Sequence, residues 1–217
     1  MELNFATLIL LFLRLSPFVL LCFFSISSIF NSDLKGVVYL AGILLAAGFS
    51  LVAQGFVSAS KPANKDDICD LVSIGSGAFS NIPLGETILG FTFTYLLQTM
   101  RQTDKEYPKS DIVKRNWPTT LFFMILIFSD LALNTNIFSF IKEYLKMPPT
   151  ACYTNMQTAA AYSIGIFAGF LWSNIIYSTK TPELLYFSKY KNNESCSKVS
   201  NKTFKCKVYK NGKLISG

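Results

Sequence analysis

YTNMQTAAAYSIGIFAGFLWSNIIYS, Tyr153 to Ser178, is a long apolar segment in which the small residues Ala161, Gly165, Gly169 and Ser173 recur every four positions. About 20 apolar residues suffice to cross the hydrocarbon of a bilayer. Four-residue spacing sets side chains along one ridge of a helix, and a ridge of small residues lets a second helix approach closely in lipid. The segment is also the last hydrophobic span. It separates an apolar region, 1–178, from a basic and polar tail, 179–217. The fold predicted is an all-α transmembrane bundle of about five spans over 1–178, followed by a small C-terminal β module.

Composition points the same way. Of 217 residues 51% are hydrophobic and twenty are Phe, and the mean hydropathy is +0.37. One soluble core of this size does not need so much apolar surface. The absence of histidine removes the usual proton shuttle, the commonest metal ligand and every Ser-His or Cys-His nucleophile pair. The five cysteines show no CxxC or other metal spacing. No catalytic residue, cofactor or metal is therefore expected, and the chain reads as a non-enzyme.

Four earlier segments complete the bundle. Phe5 to Phe30 is apolar except for Arg14 and a few hydroxyls; without a basic leader or a clean small-residue cleavage site it reads as a retained span rather than a signal peptide. Leu34 to Ser58 forms a second span, rich in small residues and closed by Pro62. A polar connection over 61–83 contains Gly75-Ser-Gly77, which lacks the spaced glycines and Lys-Ser/Thr of a phosphate loop. Leu84 to Met100 is a short third span, and Thr119 to Ile141 a fourth, introduced by Trp117 and the helix-starting Pro118.

Basic residues orient these spans. With five spans, Lys35, five residues in loop 101–118 and nine in the tail fall on one side, fifteen in all; Lys61, Lys65, Lys142 and Lys146 fall on the other. The positive-inside rule makes the loop and the tail cytoplasmic. The net charge of +7 thus reads as a topology signal, and no nucleic-acid partner is expected. The sequons at Asn193 and Asn201 are expected to stay unused on that side.

Within the tail, Phe204, Cys206 and Val208 alternate with Lys205, Lys207 and Tyr209, as in a half-buried strand. Asn211-Gly212 makes a two-residue hairpin turn, and the run Leu184 to Phe187 is a candidate partner strand. Lys205, Lys207, Lys210 and Lys213 would present a basic face to a partner. Cys69 and Cys152 on one side, and Cys196 and Cys206 on the other, are candidate disulfides; Cys22 lies alone in the first span.

Arg14 and Asp130 are the charges deepest in the spans, at matching depth from the non-cytoplasmic ends. Each is costly in lipid alone, so an intramembrane ion pair that clasps helices is expected. Gln54, Glu86, Asn134, Asn136, Asn155 and Gln157 form a softer polar ring toward the same ends, suited to interhelical hydrogen bonding or a shallow pocket.

The tail, with Leu184 to Tyr190, Cys196 and the closing FKCKVYKNGKLI of Phe204 to Ile215, following a small-residue final span, resembles multi-spanning inner-membrane and minor capsid proteins of large icosahedral DNA viruses of the algal-virus type. The resemblance implies a structural protein of the virion. It would lie in the viral internal membrane, with tail and loop 101–118 facing capsid-shell proteins and a thiol oxidase able to form the tail disulfide. Two other readings come from different classes. Pro83-Leu-Gly-Glu86 and Ile166-Phe-Ala-Gly169 are similar to the framing of phosphatidic-acid-type lipid phosphatases, but Glu86, Ala161 and Asn155 stand where that family carries two histidines and an arginine. The polar ring and Asp130 would suit a small transporter or channel subunit.

Overall fold

The computed structural model describes residues 5–56, 82–106, 111–134, 140, 143, 153–181, 184–187, 208–210 and 213–216. Its helices are α1 (Phe5–Phe30), α2 (Lys35–Ala53), α3 (Leu84–Glu106), the short α4 (Ile112–Arg115), α5 (Trp117–Asn134) and α6 (Asn155–Ser178). Among the described residues three stretches, Leu11–Phe30, Lys35–Ala53 and Asn155–Ser178, are long and apolar enough to cross a membrane; Trp117–Ala132 is a shorter apolar helix. Their outward faces carry bare apolar side chains such as Phe30, Leu44, Val52, Met124, Ile125 and Phe170. In water that surface would be a liability, whereas in lipid it costs nothing to expose.

The centre of the bundle is α3, which packs against α1, α2, α5 and α6. Ile88, Leu89, Phe91, Tyr95, Leu96 and Met100 are buried, and so are Thr87, Thr92, Thr99 and Thr103. Those hydroxyls are satisfied locally, donating to the carbonyls of Pro83, Ile88, Leu96 and Thr99 at 2.7–3.3 Å. A helix with modest apolar content can therefore sit at the core, because its polar groups are spent before they reach lipid.

Its closest partner is α6. A methyl group on Gly165 would collide with the Thr87 carbonyl and the Phe91 amide, and one on Gly169 would lie 2.6 Å from Phe91 O. Ala161, Gly165, Gly169 and Ser173 are all buried on this contact face. On the other side Trp172 lies over Gly42 of α2 and donates from Nε1 to Val38 O at 2.9 Å.

The start of α6 is a capping box. Gln157 N donates to Thr154 Oγ1 at 3.3 Å while Thr154 N donates to Gln157 Oε1 at 3.0 Å. Gln157 is thus spent on the cap rather than on a pocket. Thr154→Ala should lower bundle stability by about 1 kcal/mol, and Thr154→Ser should retain it. Denaturant titration in detergent reads both, and an unchanged Ala variant would show that the cap is dispensable.

Three expectations on the basic side are corrected. Residues 101–118 are not a plain loop: α3 runs on to Glu106, α4 follows, and α5 begins at Trp117. Asp104 accepts the Ile112 and Val113 amides at 2.7 and 3.0 Å, capping α4 from a distance. The run Leu184 to Phe187 is not a strand but a turn folded back on the bundle, because Leu185 is fully buried and Tyr186 donates to Phe24 O at 3.0 Å. Burial, with the Asp33 carboxylate adding to it, pushes the Tyr186 phenol up to about 12, so it remains a donor. Bundle packing consequently continues past residue 178, where the sequence places the boundary.

Further along the tail, β1 (Val208–Lys210) pairs antiparallel with β2 (Lys213–Ser216), with Lys210 opposite Lys213. Lys205, Lys207, Cys69, Cys152, Cys196 and Cys206 lie outside the described residues. Cys22 is a half-buried free thiol.

Candidate functional site

The buried charges of the bundle gather in one place. Arg14 follows Leu13 on α1, and three residues later Pro17 interrupts the helix ladder, since it has no N–H to give the Leu13 carbonyl. Ser16 repairs the gap, its hydroxyl donating to Leu13 O at 2.7 Å. Pro17 in turn packs on Gly85, where an added methyl would lie 3.2 Å from Pro17 Cγ. The contact brings the first turn of α3, and with it Glu86, beside α1.

Arg14 Nη1 stands 3.3 Å from Glu86 Oε1, both side chains being nearly inaccessible. Glu86 belongs to the first turn of its helix, where the helix dipole favours a carboxylate. The Arg14 guanidinium also lies over the ring of Tyr153, 5.7 Å from its centroid, a distance at which a cation is attracted to the ring face. Tyr153 is held there by the Thr154 cap that fixes the entry of the chain into α6.

The sequence pairs Asp130 with Arg14 by their equal depth in two spans, and both side chains are buried. Asp130 enters the cluster through Tyr162, whose hydroxyl donates to Asp130 Oδ2 at 2.8 Å. Tyr162 is within electrostatic reach of Asp130, Glu86 and Arg14 together. Four helices therefore converge on one site: α1 gives Arg14, α3 Glu86, α5 Asp130 and α6 Tyr162. Sequence reasoning placed Glu86 in the softer polar ring, for interhelical hydrogen bonding or a shallow pocket, and passed over both tyrosines. The available signal was the four-residue step from Thr158 to Tyr162 to Ile166 along the ridge flank, which aims a phenol at the neighbouring helices.

Other members of the predicted polar ring lie apart from this cluster. Asn155 is exposed and Gln54 half-buried, while the Asn134 side chain and Asn136 fall outside the described residues. A second polar tie sits toward the opposite end, where Ser173 donates to Gln102 Oε1 at 3.1 Å and Gln102 Nε2 donates to Asn174 Oδ1 at 3.0 Å. Helix α2 is held by Tyr39 and Thr92, 2.7 Å apart, and by Ser50 and Thr87, 3.3 Å apart.

Chemically the cluster offers one guanidinium, two carboxylates and a phenol donor, and among the described residues no group of three or more Cys, Asp or Glu is placed to hold a metal ion. The arrangement can neutralise charge inside lipid and fix which helices touch. No family model, curated protein or solved structure matches the chain.

Proposed function

We propose that the chain is an architectural membrane protein, a rigid helical anchor that fastens a bilayer to a protein layer on its basic side. The observation that carries this reading is that four pairs of polar side chains tie neighbouring helices together across the bundle: Arg14 with Glu86, Tyr162 with Asp130, Ser173 with Gln102 and Tyr39 with Thr92. Such pairing suits a fixed scaffold. We place α1, α2, α3, α5 and α6 across the bilayer as five alternating spans, with the tail and residues 101–118 cytoplasmic, in line with the fifteen-to-four division of basic residues. In the setting of the viral resemblance the bilayer is the internal membrane, the layer is the capsid shell, and Lys205, Lys207, Lys210 and Lys213 provide the docking face.

Protease added to the cytoplasmic side of sealed vesicles should remove the tail and cut within 101–118. A protected tail, or sugar on Asn193 or Asn201, would reverse the orientation. The full chain should also purify in fixed ratio with a shell protein, whereas free diffusion as a lone membrane protein would remove the anchor reading. The transporter reading draws on two carboxylates within one buried cluster, since intramembrane acids often mark ion paths. Proton or cation uptake by proteoliposomes, abolished by Asp130→Asn, would establish it in place of the anchor.

A further inference from the structure

At one end of the bundle α3, α4 and α5 form a corner. Asp104, in the last turns of α3, accepts two amides of α4, and α5 opens at Trp117, directly after the C-cap of α4 at Asn116. Helices α3 and α6 run parallel: Gly165 and Gly169 meet α3 near Thr87 and Phe91, and Ser173 meets Gln102. Gln102 and Ser173 each lie about one turn from the ends of their helices, Glu106 and Ser178. The two helices therefore finish at one height. Because α6 is apolar and of membrane-crossing length, the corner sits at the headgroup level of the bilayer that α6 crosses. We propose that this corner binds the headgroups of anionic phospholipids. The inference rests on reading α5 and α6 as membrane spans.

Its sign is independent of which cations are already paired. Residues 101–118 hold five Lys and Arg against three Asp and Glu, and the tail 179–217, which leaves α6 at the same end, holds nine against two. An ion pair removes one charge of each kind, so both segments stay net positive however their acids are placed. Of the three acids in 101–118, Asp104 is engaged by the α4 amides and Asp111 stands 3.4 Å from Lys114. Arg101, Lys105 and Arg115 are exposed.

Lipid is selected by what lies beneath these cations. Trp117, 61% exposed, occupies the level at which interfacial aromatics anchor a span. Below it along α5, Leu121, Phe122 and Ile125 are bare. A row of cations directly above a bare apolar helix face matches a phospholipid, whose anionic headgroup and acyl chains follow each other in the same order. An acidic protein or a nucleic acid would use the cations and leave the apolar face uncovered.

The test places the full chain in vesicles of phosphatidylcholine and phosphatidylglycerol, one or the other brominated on its acyl chains, and reads quenching of tryptophan fluorescence. The Trp117 signal is the difference between the parent and Trp117→Phe, since the other tryptophan, Trp172, lies against Gly42. Brominated phosphatidylglycerol should quench Trp117 with a relative affinity of about fivefold for each net positive charge at the interface. Lys105→Gln with Arg115→Gln should lower that preference at least about fivefold. In the unaltered chain about 1 M sodium chloride, where the Debye length is about 3 Å, should abolish it, which keeps the test decisive if the variant misfolds. Equal quenching by the two lipids, or a preference unmoved by the substitutions and by salt, overturns the proposal. Loss of the preference to millimolar inorganic phosphate at constant ionic strength also overturns it, by showing a simple anion site, and equal quenching combined with binding of a DNA duplex would assign the charge to nucleic acid. Quenching by neither lipid would take α5 out of the bilayer, and the membrane-anchor reading would fall together with this one.

Discussion

Arg14→Met should cost the bundle about 3–5 kcal/mol, the range found when one partner of a buried ion pair is removed and the other is left uncompensated. The loss is not the value of the pair. It is the cost of holding the Glu86 carboxylate in an apolar interior with its guanidinium gone, while Asp130 remains close by on Tyr162. Glu86→Met should be comparably damaging, because it removes the carboxylate that Arg14 faces at 3.3 Å in the buried cluster. The double variant Arg14→Met with Glu86→Met should recover much of either loss, since neither charge then needs a partner. A double-mutant cycle in detergent denaturation measures this coupling directly. Tyr162→Phe should weaken Asp130 by the loss of one donor. If the Arg14 and Glu86 effects simply add, the two do not pair, and the cluster is not the clasp that supports the anchor reading.

The pairing illustrates what a sequence of this kind discloses. Depth in a span is countable, so Arg14 and Asp130 could be set at one level; rotation about the helix axis is not countable, so the place of Glu86 beside Arg14 was out of reach. Glu86 looked peripheral because it opens a short, weakly apolar segment. That same weakness concealed the centrality of α3, whose threonines read as polar until their hydroxyls are seen bonded to carbonyls within the helix. By contrast, α1 was legible from Phe5 to Phe30, because a long apolar run with Arg14 as its one charge, followed by turn residues, has few other resolutions. The run Leu184 to Phe187 shows the opposite case. Four apolar residues without a period fit a strand or a tucked turn equally well, and only the Tyr186 bond to Phe24 O decides between them.

Gly165→Ala should destabilise the bundle by about 1–3 kcal/mol, the cost of forcing extra volume into a close-packed contact, although alanine is the better helix former. The reason is what the added methyl meets. At Gly165 it meets the Thr87 carbonyl and the Phe91 amide, and at Gly169 the Phe91 carbonyl, so the obstruction is backbone that no rotamer change can clear. From the other helix, a methyl on Gly90 would stand 3.1 Å from Tyr162 O, so the close approach is built from both sides. Relief requires α3 and α6 to separate, and separation would draw Gln102 from Ser173 and move the start of α3 that presents Glu86 to Arg14. Two other glycines serve as comparators. At Gly42 the nearest atoms the methyl meets belong to the side chains of Phe91 and Trp172, which can shift, and the effect should be smaller. At Gly48 it meets nothing within 4 Å, so Gly48→Ala should stabilise α2 by roughly 0.5–1 kcal/mol through propensity alone. The order expected from denaturation is therefore Gly48→Ala most stable, Gly42→Ala intermediate and Gly165→Ala least. Gly165→Ala variants as stable as Gly48→Ala would mean that the two backbones are not in contact, and the small-residue ridge would then be a lipid-facing stripe rather than the seam that holds the bundle together.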